Sequence, residues 1–247
     1  MPAPALNQRS ENLLLNALPE DVWERLAPGL APVALAAGQV LCESGAALRE
    51  AYFPTSAIVS MHCLLESGST AQVAMIGRDG MVGLSLFLGA ERSMSQIDVQ
   101  TAGAAYRLPA HALRDEFARS GALMQVLLRY TQFFINQMVQ SAACNQHGTV
   151  EQRLCRWLLL GLDRSPGGEL WMTHELIANA LGVRREGISE AAARLQRQGA
   201  IRYHRGHIDV VDRSALERGA CECYRMEKRG VGRVQFSPPA PRDFDSA

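Results

Sequence analysis

Lysine is almost absent from this chain: of 25 basic residues only Lys228 is a lysine, and the rest are arginines. Net charge is absent as well, because 25 acidic residues balance the basic ones. No general attraction to polyanions operates, so a basic patch has to be placed locally. Aromatic residues are few, at 6%. No apolar run approaches the roughly 18–20 residues of a membrane span. The start, MPAPALNQRSENLL, has neither the basic opening nor the apolar core of a secretory signal. Cys42, Cys63, Cys144, Cys155, Cys221 and Cys223 form no C-x-x-C pair, no zinc pattern with histidine and no N-terminal cluster for an iron–sulfur centre. Most are expected to be buried or incidental thiols in a reducing cytoplasm. No G-x-S-x-G, P-loop, paired catalytic carboxylates or metal motif is found, so no enzyme and no metal site is expected.

What is present suits a globular protein: 247 residues, 47% apolar and 20% charged, enough for one large domain or two ordinary ones. The neutral total hides an asymmetry. Residues 1–120 hold 8 basic and 12 acidic residues (8 − 12 = −4), whereas 121–247 hold 17 and 13 (17 − 13 = +4). The second part is the better candidate to meet a polyanion.

The texture along the chain changes four times. Residues 1–27 read as a loose tail and a short helix. From 28 to 120, short apolar runs alternate with turn signals at Gly38, Gly45, Gly68, Gly77, Gly80, Gly89 and Gly103, which predicts an antiparallel β-roll or barrel ending in a short helix. Residues 121–147 carry no proline or internal glycine and predict one long helix of about 25 residues, roughly 40 Å. Leu123, Leu127, Tyr130, Phe134, Ser141 and Cys144 approximate a heptad seam on it, with Gln137 as the polar exception, which predicts a homodimer; the alternative is a helix buried against its own domain. Residues 148–226 begin with Thr149 and Gln152 at capping-box spacing and continue as short helices and a hairpin, AIRYHRGHIDVV, with Arg205–Gly206 at its tip. The stretch 227–247, rich in proline and mixed charge, is expected to be a disordered tail.

The most specific signal is MTHELIANALGVRREGISEAAARLQRQGAI, residues 172–201. Ala178 is small where two helices must cross, and Gly182 supplies the turn between them. Ile177, Leu181, Val183, Ile188 and Leu195 provide the core, while Glu186, Ser189, Glu190, Ala193 and Arg197 face outward at 100° per residue. Arg184 and Arg185 fall in the first turn of the second helix, the part that enters a major groove. Arginine pairs bidentately with guanine, and a carboxylate accepts from cytosine N4. The predicted base contacts are therefore Arg184, Arg185, Glu186, Ser189 and Glu190. The predicted phosphate contacts are Thr173, Arg197, Arg202, His204, Arg205 and His207.

With these residues in view the chain resembles the Crp/Fnr superfamily of bacterial transcription regulators, over about residues 28–226. The resemblance implies an α+β fold: an N-terminal cyclic-nucleotide-binding-like β-roll, a long dimerisation helix and a C-terminal winged helix-turn-helix. It implies sequence-specific binding of pseudo-palindromic double-stranded DNA by a cytoplasmic homodimer, with RNA polymerase as a further partner and no membrane. Arg185–Glu186 matches the family's base-reading pair. Glu190 stands where the cyclic-AMP receptor protein of that superfamily has a further arginine, so the same half-site is not implied. The family's phosphate cassette corresponds to Gly83 and Arg92–Ser93, the candidate effector site. The intervening LSLFLG has no carboxylate for a ribose hydroxyl, which removes one charge-assisted bond, on the order of 1.5–3 kcal/mol. No cofactor is expected to be required, and cyclic nucleotide is the minority expectation for an effector. The alternative reading is a ligand-sensing module that acts through protein–protein contacts, its winged helix an interaction surface.

Overall fold

The computed structural model describes residues 11–64, 66, 70–90, 92–165, 170–204 and 206–233. Arg205 at the hairpin tip and the tail from 234 onward lie outside the described residues.

Among the described residues, seven strands follow two short helices, α1 (Leu13–Asn16) and α2 (Glu20–Leu26): β1 (Ala31–Leu35), β2 (Val40–Cys42), β3 (Glu50–Pro54), β4 (Ile58–Leu64), β5 (Thr70–Ile76), β6 (Gln96–Thr101) and β7 (Gly103–Pro109), with the short helix α3 (Ser85–Leu88) between β5 and β6. They form two antiparallel sheets, ordered β1-β7-β3 and β2-β6-β4-β5. The alternation read from sequence is met where one face packs inward: Ala51, Phe53, Val59, Ala74, Ile76, Ile97, Val99, Ala105 and Tyr106 share one core. Leu14, Leu15, Val22, Trp23 and Leu26 of the two helices close it. Asn12 fastens that lid: it is buried, caps α1 through its side-chain oxygen, and donates to the carbonyls of Pro54 (2.8 Å) and Gly80 (2.9 Å).

Helix α4 (Ala110–Ala118) leads to α5 (Ala122–His147), 26 residues long. The predicted dimer seam needs correction here. Leu123, Leu127, Tyr130 and Phe134 are buried in the chain's own β-roll core, and the Tyr130 hydroxyl donates to the Met81 carbonyl (3.0 Å). Ser141, the fifth seam residue, accepts from the Arg156 guanidinium (3.0 Å). A side chain packed into its own subunit cannot fill a hole in a partner helix. The apolar residues that α5 leaves exposed are Leu128 (46%), Ile135 (48%), Met138 (38%) and Val139 (62%). Leu128 and Ile135 are one heptad apart, so a stripe runs along the helix face opposite the roll.

The rest of the described chain builds a second core from α6 (Val150–Arg164), β8 (Leu170–Trp171), α7 (His174–Leu181), α8 (Arg185–Arg197), β9 (Ile201–His204), β10 (His207–Val210), α9 (Arg213–Gly219) and α10 (Glu222–Arg233). Thr149 and Gln152 make the capping box that starts α6. The small sheet runs β8-β10-β9. Helix α10 continues through 233, into the stretch expected to be a tail, because Tyr224 is buried and its hydroxyl donates to Asp163 (3.0 Å), while Lys228 pairs with Glu217 (2.9 Å).

Candidate nucleic-acid interface

Thr173 starts α7, its hydroxyl accepting from the Leu176 N–H (3.2 Å). The helix ends at Gly182, which has φ +61° and ψ +41°. Gly182 N–H bonds the Asn179 carbonyl (3.3 Å) and Val183 N–H the Ala178 carbonyl (3.0 Å), so left-handed backbone closes the turn. Arg153 of α6 donates to the Leu181 carbonyl and satisfies the same helix end. Ile177, Ala178, Ile188, Ala192 and Leu195 are buried between α6, α7 and α8. Arg194 is tied to Glu151 of α6 (2.6 Å), which fixes the roll of α8 about its axis.

This packing leaves Arg184, Arg185, Glu186, Glu190, Ala193 and Arg197 exposed, with Ser189 half-buried beside them. Arg202 and His204 are exposed on the wing, and Thr173 is exposed at the start of α7. One predicted phosphate contact is corrected. His207 is buried: in the three-stranded sheet it stands opposite Trp171 on one side and His204 on the other, with Nδ1 3.2 Å from Asp209. A buried ring is not presented to a phosphate. Arg205, predicted to contact phosphate, lies outside the described residues.

His174 is a residue that sequence reasoning left without a site role. Its Nδ1 lies 3.0 Å from the Ser189 hydroxyl, which itself donates to the Arg185 carbonyl (3.1 Å). Its ring stacks on Tyr203 of the wing (4.1 Å between centroids). Burial, and then the positive charge of Arg185, lower its pKa from the ordinary histidine value. His174 thereby joins α7, the face of α8 and the wing. Nothing in the sequence marks this contact, since its partners lie 15 and 29 residues away.

The candidate effector residues are not gathered into a comparable open surface. Gly83 has φ +119°, and a Cβ there would meet Leu86 Cδ1 at 2.9 Å and Ala51 Cα at 3.4 Å. Arg92 donates to the Gly45 carbonyl (2.7 Å), and the buried Ser93 hydroxyl donates to the Ser95 carbonyl (2.7 Å). Backbone bonds from Gly45 to Ser93 (2.7 Å) and from Ser93 to Ala46 (2.8 Å) complete a clamp between two loops.

The β-roll and the winged helix are in direct contact. Ile58 and Met75 of the roll belong to the second core. The Trp157 indole donates to Gln72 Oε1 (2.8 Å), and Gln72 donates to Ser60 (2.7 Å) and Gln100 (2.9 Å). The segment Gly77–Arg78–Asp79–Gly80 is a junction. Asp79 pairs with the buried Arg164 (3.0 Å), and a Cβ at Gly77 would lie 2.5 Å from Arg164 Cβ. At Gly80 it would lie 2.5 Å from the Tyr130 hydroxyl. Between the sheet and α7 a cavity of about 490 Å³ is lined by Ser60, His62, Asp98, Thr173, Glu175 and Asn179, among others. Among the described residues, His204, His207 and Asp209 form the group whose ligand atoms lie within 4.8 Å of one another, as a metal ion would require.

A β-roll joined by a long helix to a winged helix with an exposed, arginine-led helix face is the architecture of a class of DNA-binding transcription regulators. The cyclic nucleotide-binding domain family matches residues 32–120, and the Crp-like helix-turn-helix domain family matches residues 152–219. The chain belongs to the Crp/Fnr superfamily of transcription regulators. No curated protein matches it in sequence. Similar solved structures include FixK2 from Bradyrhizobium japonicum, 16% identical over 78% of this chain and 98% of that one, with a TM-score of 0.66. CLP, described as a c-di-GMP responsive global regulator of Xanthomonas campestris, is 15% identical over 78% and 99%, with a TM-score of 0.62. A CRP-family transcriptional regulator from Thermus thermophilus is 22% identical over 76% and 96%, again with a TM-score of 0.62.

Proposed function

We propose that this DNA-binding transcription regulator works as a cytoplasmic homodimer that reads a pseudo-palindromic site through α8 and acts by binding, without catalysis. The observation that carries this reading is the exposed first turn of α8, where Arg184, Arg185 and Glu186 follow the Gly182 turn and are left uncovered by the three-helix core. Arg185 reads a guanine and Glu186 accepts from a cytosine; Ser189 and Glu190 lie one turn further along the same face. Thr173, Arg197, Arg202, Arg205 and His204 hold the backbone. The exposed stripe Leu128, Ile135, Met138 and Val139 supports the dimer, because a second copy of α5 would cover it. Two readers would then engage half-sites about one helical turn apart.

No helix among the described residues is long and apolar enough to cross a membrane. RNA polymerase is a proposed partner on the family's account alone. For the effector, the clamped state of Arg92 and Ser93 and the missing ribose carboxylate argue against a cyclic nucleotide and support activity without a required cofactor. The test is duplex binding at several salt concentrations. Log affinity should fall linearly with log salt, with a slope near −0.9 for each phosphate neutralised. Binding that does not respond to salt would instead support the protein-contact reading.

A further inference from the structure

Six cysteines with no motif spacing are scattered along the chain, and two of them are in contact. Cys144, near the end of α5, and Cys221, immediately before α10, bring their sulfurs to 2.8 Å although 77 residues separate them. A disulfide needs about 2.05 Å, so closure asks for a sulfur displacement of under about 1 Å. We propose that Cys144 and Cys221 are an oxidisable thiol pair, a modification site at which a peroxide closes a disulfide and clamps the DNA-reading domain to the long helix.

The two thiols are not equivalent. Cys144 is buried and Cys221 is half-buried, so a small oxidant meets Cys221 first. Cys221 sits at the N-terminus of α10, a helix of 12 residues whose terminal N–H groups favour an anion. Its pKa is lowered, chiefly by the hydrogen bond from Cys144, with help from the Tyr224 N–H and the Arg156 charge. The pKa of Cys144 is raised, by the same contact and by burial. The pair therefore holds a nucleophile and a resolving thiol.

Hydrogen peroxide supplies the oxidation. The Cys221 thiolate attacks one peroxide oxygen; the S–O bond forms, the O–O bond breaks, and the departing hydroxide takes a proton to become water. Cys144 sulfur then attacks the Cys221 sulfenic acid, the S–S bond forms, the S–O bond breaks, and the Cys144 proton leaves with the hydroxyl as a second water. Two thiols lose two electrons and the peroxide gains two.

The position of the bond gives it a consequence. Cys144 precedes the Gly148 link between α5 and α6, and a Cβ at Gly148 would meet the Cys144 carbonyl at 2.6 Å and its sulfur at 3.4 Å. Cys221 follows the last element of the winged helix before α10. The bond therefore joins the two ends of the whole reading unit at its neck. In this pose Thr173, the proposed phosphate contact on α7, lines the cavity against the β-roll. Holding that pose should lower duplex affinity, a consequence that rests on the DNA-reading assignment.

The experiment treats the reduced full chain with stoichiometric hydrogen peroxide, alkylates it under denaturing conditions and maps the peptides. Two of the six thiols should become unreactive, as a Cys144–Cys221 crosslink within one chain, in wild type and in C223S but in neither C144S nor C221S. Full alkylation, a crosslink surviving in C144S, or a crosslink between chains would overturn the site. Duplex affinity is measured on the same samples. Oxidised wild type should bind at least about fivefold more weakly than reduced, the lower end of coupling between distant sites, and oxidised C221S should not change. A mapped bond with unchanged or stronger binding would overturn the clamp while leaving the site, so the failures are distinguishable.

Discussion

Two glycine-led turns in this molecule carry arginines, and they end in opposite states. Gly182 and Gly83 both have positive φ, +61° and +119°. After Gly182 the chain presents Arg184 and Arg185 to solvent at the start of a helix. After Gly83 the arginine that the family would use for a ligand, Arg92, is bonded to the Gly45 carbonyl, and Ser93 to its own loop. The motif alone does not make a site. What separates the two is where the hydrogen-bonding groups go: before α8 the end of α7 is satisfied by Arg153 and the Gly182 turn, leaving the arginine side chains that follow uncommitted, whereas at the cassette the side chains themselves satisfy the loops.

The largest expected effect breaks the first of these surfaces at its base. Leu128→Glu with Ile135→Glu should turn the proposed dimer into a monomer by light scattering and cost more than about 100-fold in affinity for a two-half-site duplex, the usual scale of lost avidity. A matched change at Leu127 should instead unfold the β-roll, because that side chain is internal. Next, Arg185→Ala should cost ~1–3 kcal/mol on the selected site and relax preference at one base pair per half-site. Binding titrations on single-base variants check both parts.

At the other turn the effect should be small and of a different kind. Arg92→Ala should lower stability by no more than about 1 kcal/mol in a denaturant titration and leave the DNA sequence preference unchanged. An altered preference would bring the cassette back as a working effector site. The smallest effect is pH-dependent. The His174 pKa is lowered in the fold, so the unfolded chain binds the proton more readily. The stability this contributes is complete above the unfolded value, about 6.5, and is lost as pH falls below it. Thermal melts between pH 7.5 and about 5.5 should show a downward drift in wild type that His174→Gln reduces.

The two turns also show what was readable in the sequence. The helix-turn-helix was legible because its requirements are local: Ala178 four residues before Gly182, and apolar positions at helical spacing on either side. The outward face of α8 followed from the same periodicity. What the α5 seam packs against is not legible locally, because Leu123, Leu127, Tyr130 and Phe134 look the same facing a partner or a β-roll. Only the roll, arriving from residues 51–108, decides between them. The burial of His207 is no more legible locally, since β8, the strand that pairs with it at Trp171, lies more than 30 residues upstream. The Gly77–Gly80 segment was seen as a turn, yet both of its glycines are required by side chains from α5 and α6 that close upon them. Spacing in sequence carries none of these long-range approaches, nor the meeting of Cys144 and Cys221.

The central claim is that an arginine-led face on α8 reads DNA in two symmetric copies. Selection of binding sites from a pool of random duplexes, using purified protein with no added ligand, tests it most directly. A two-fold symmetric motif with half-sites about 10–11 bp apart, which loses one conserved base pair per half in Arg185→Ala, is the predicted result. Recovery of the same unselected pool from wild type and mutant alike would contradict it.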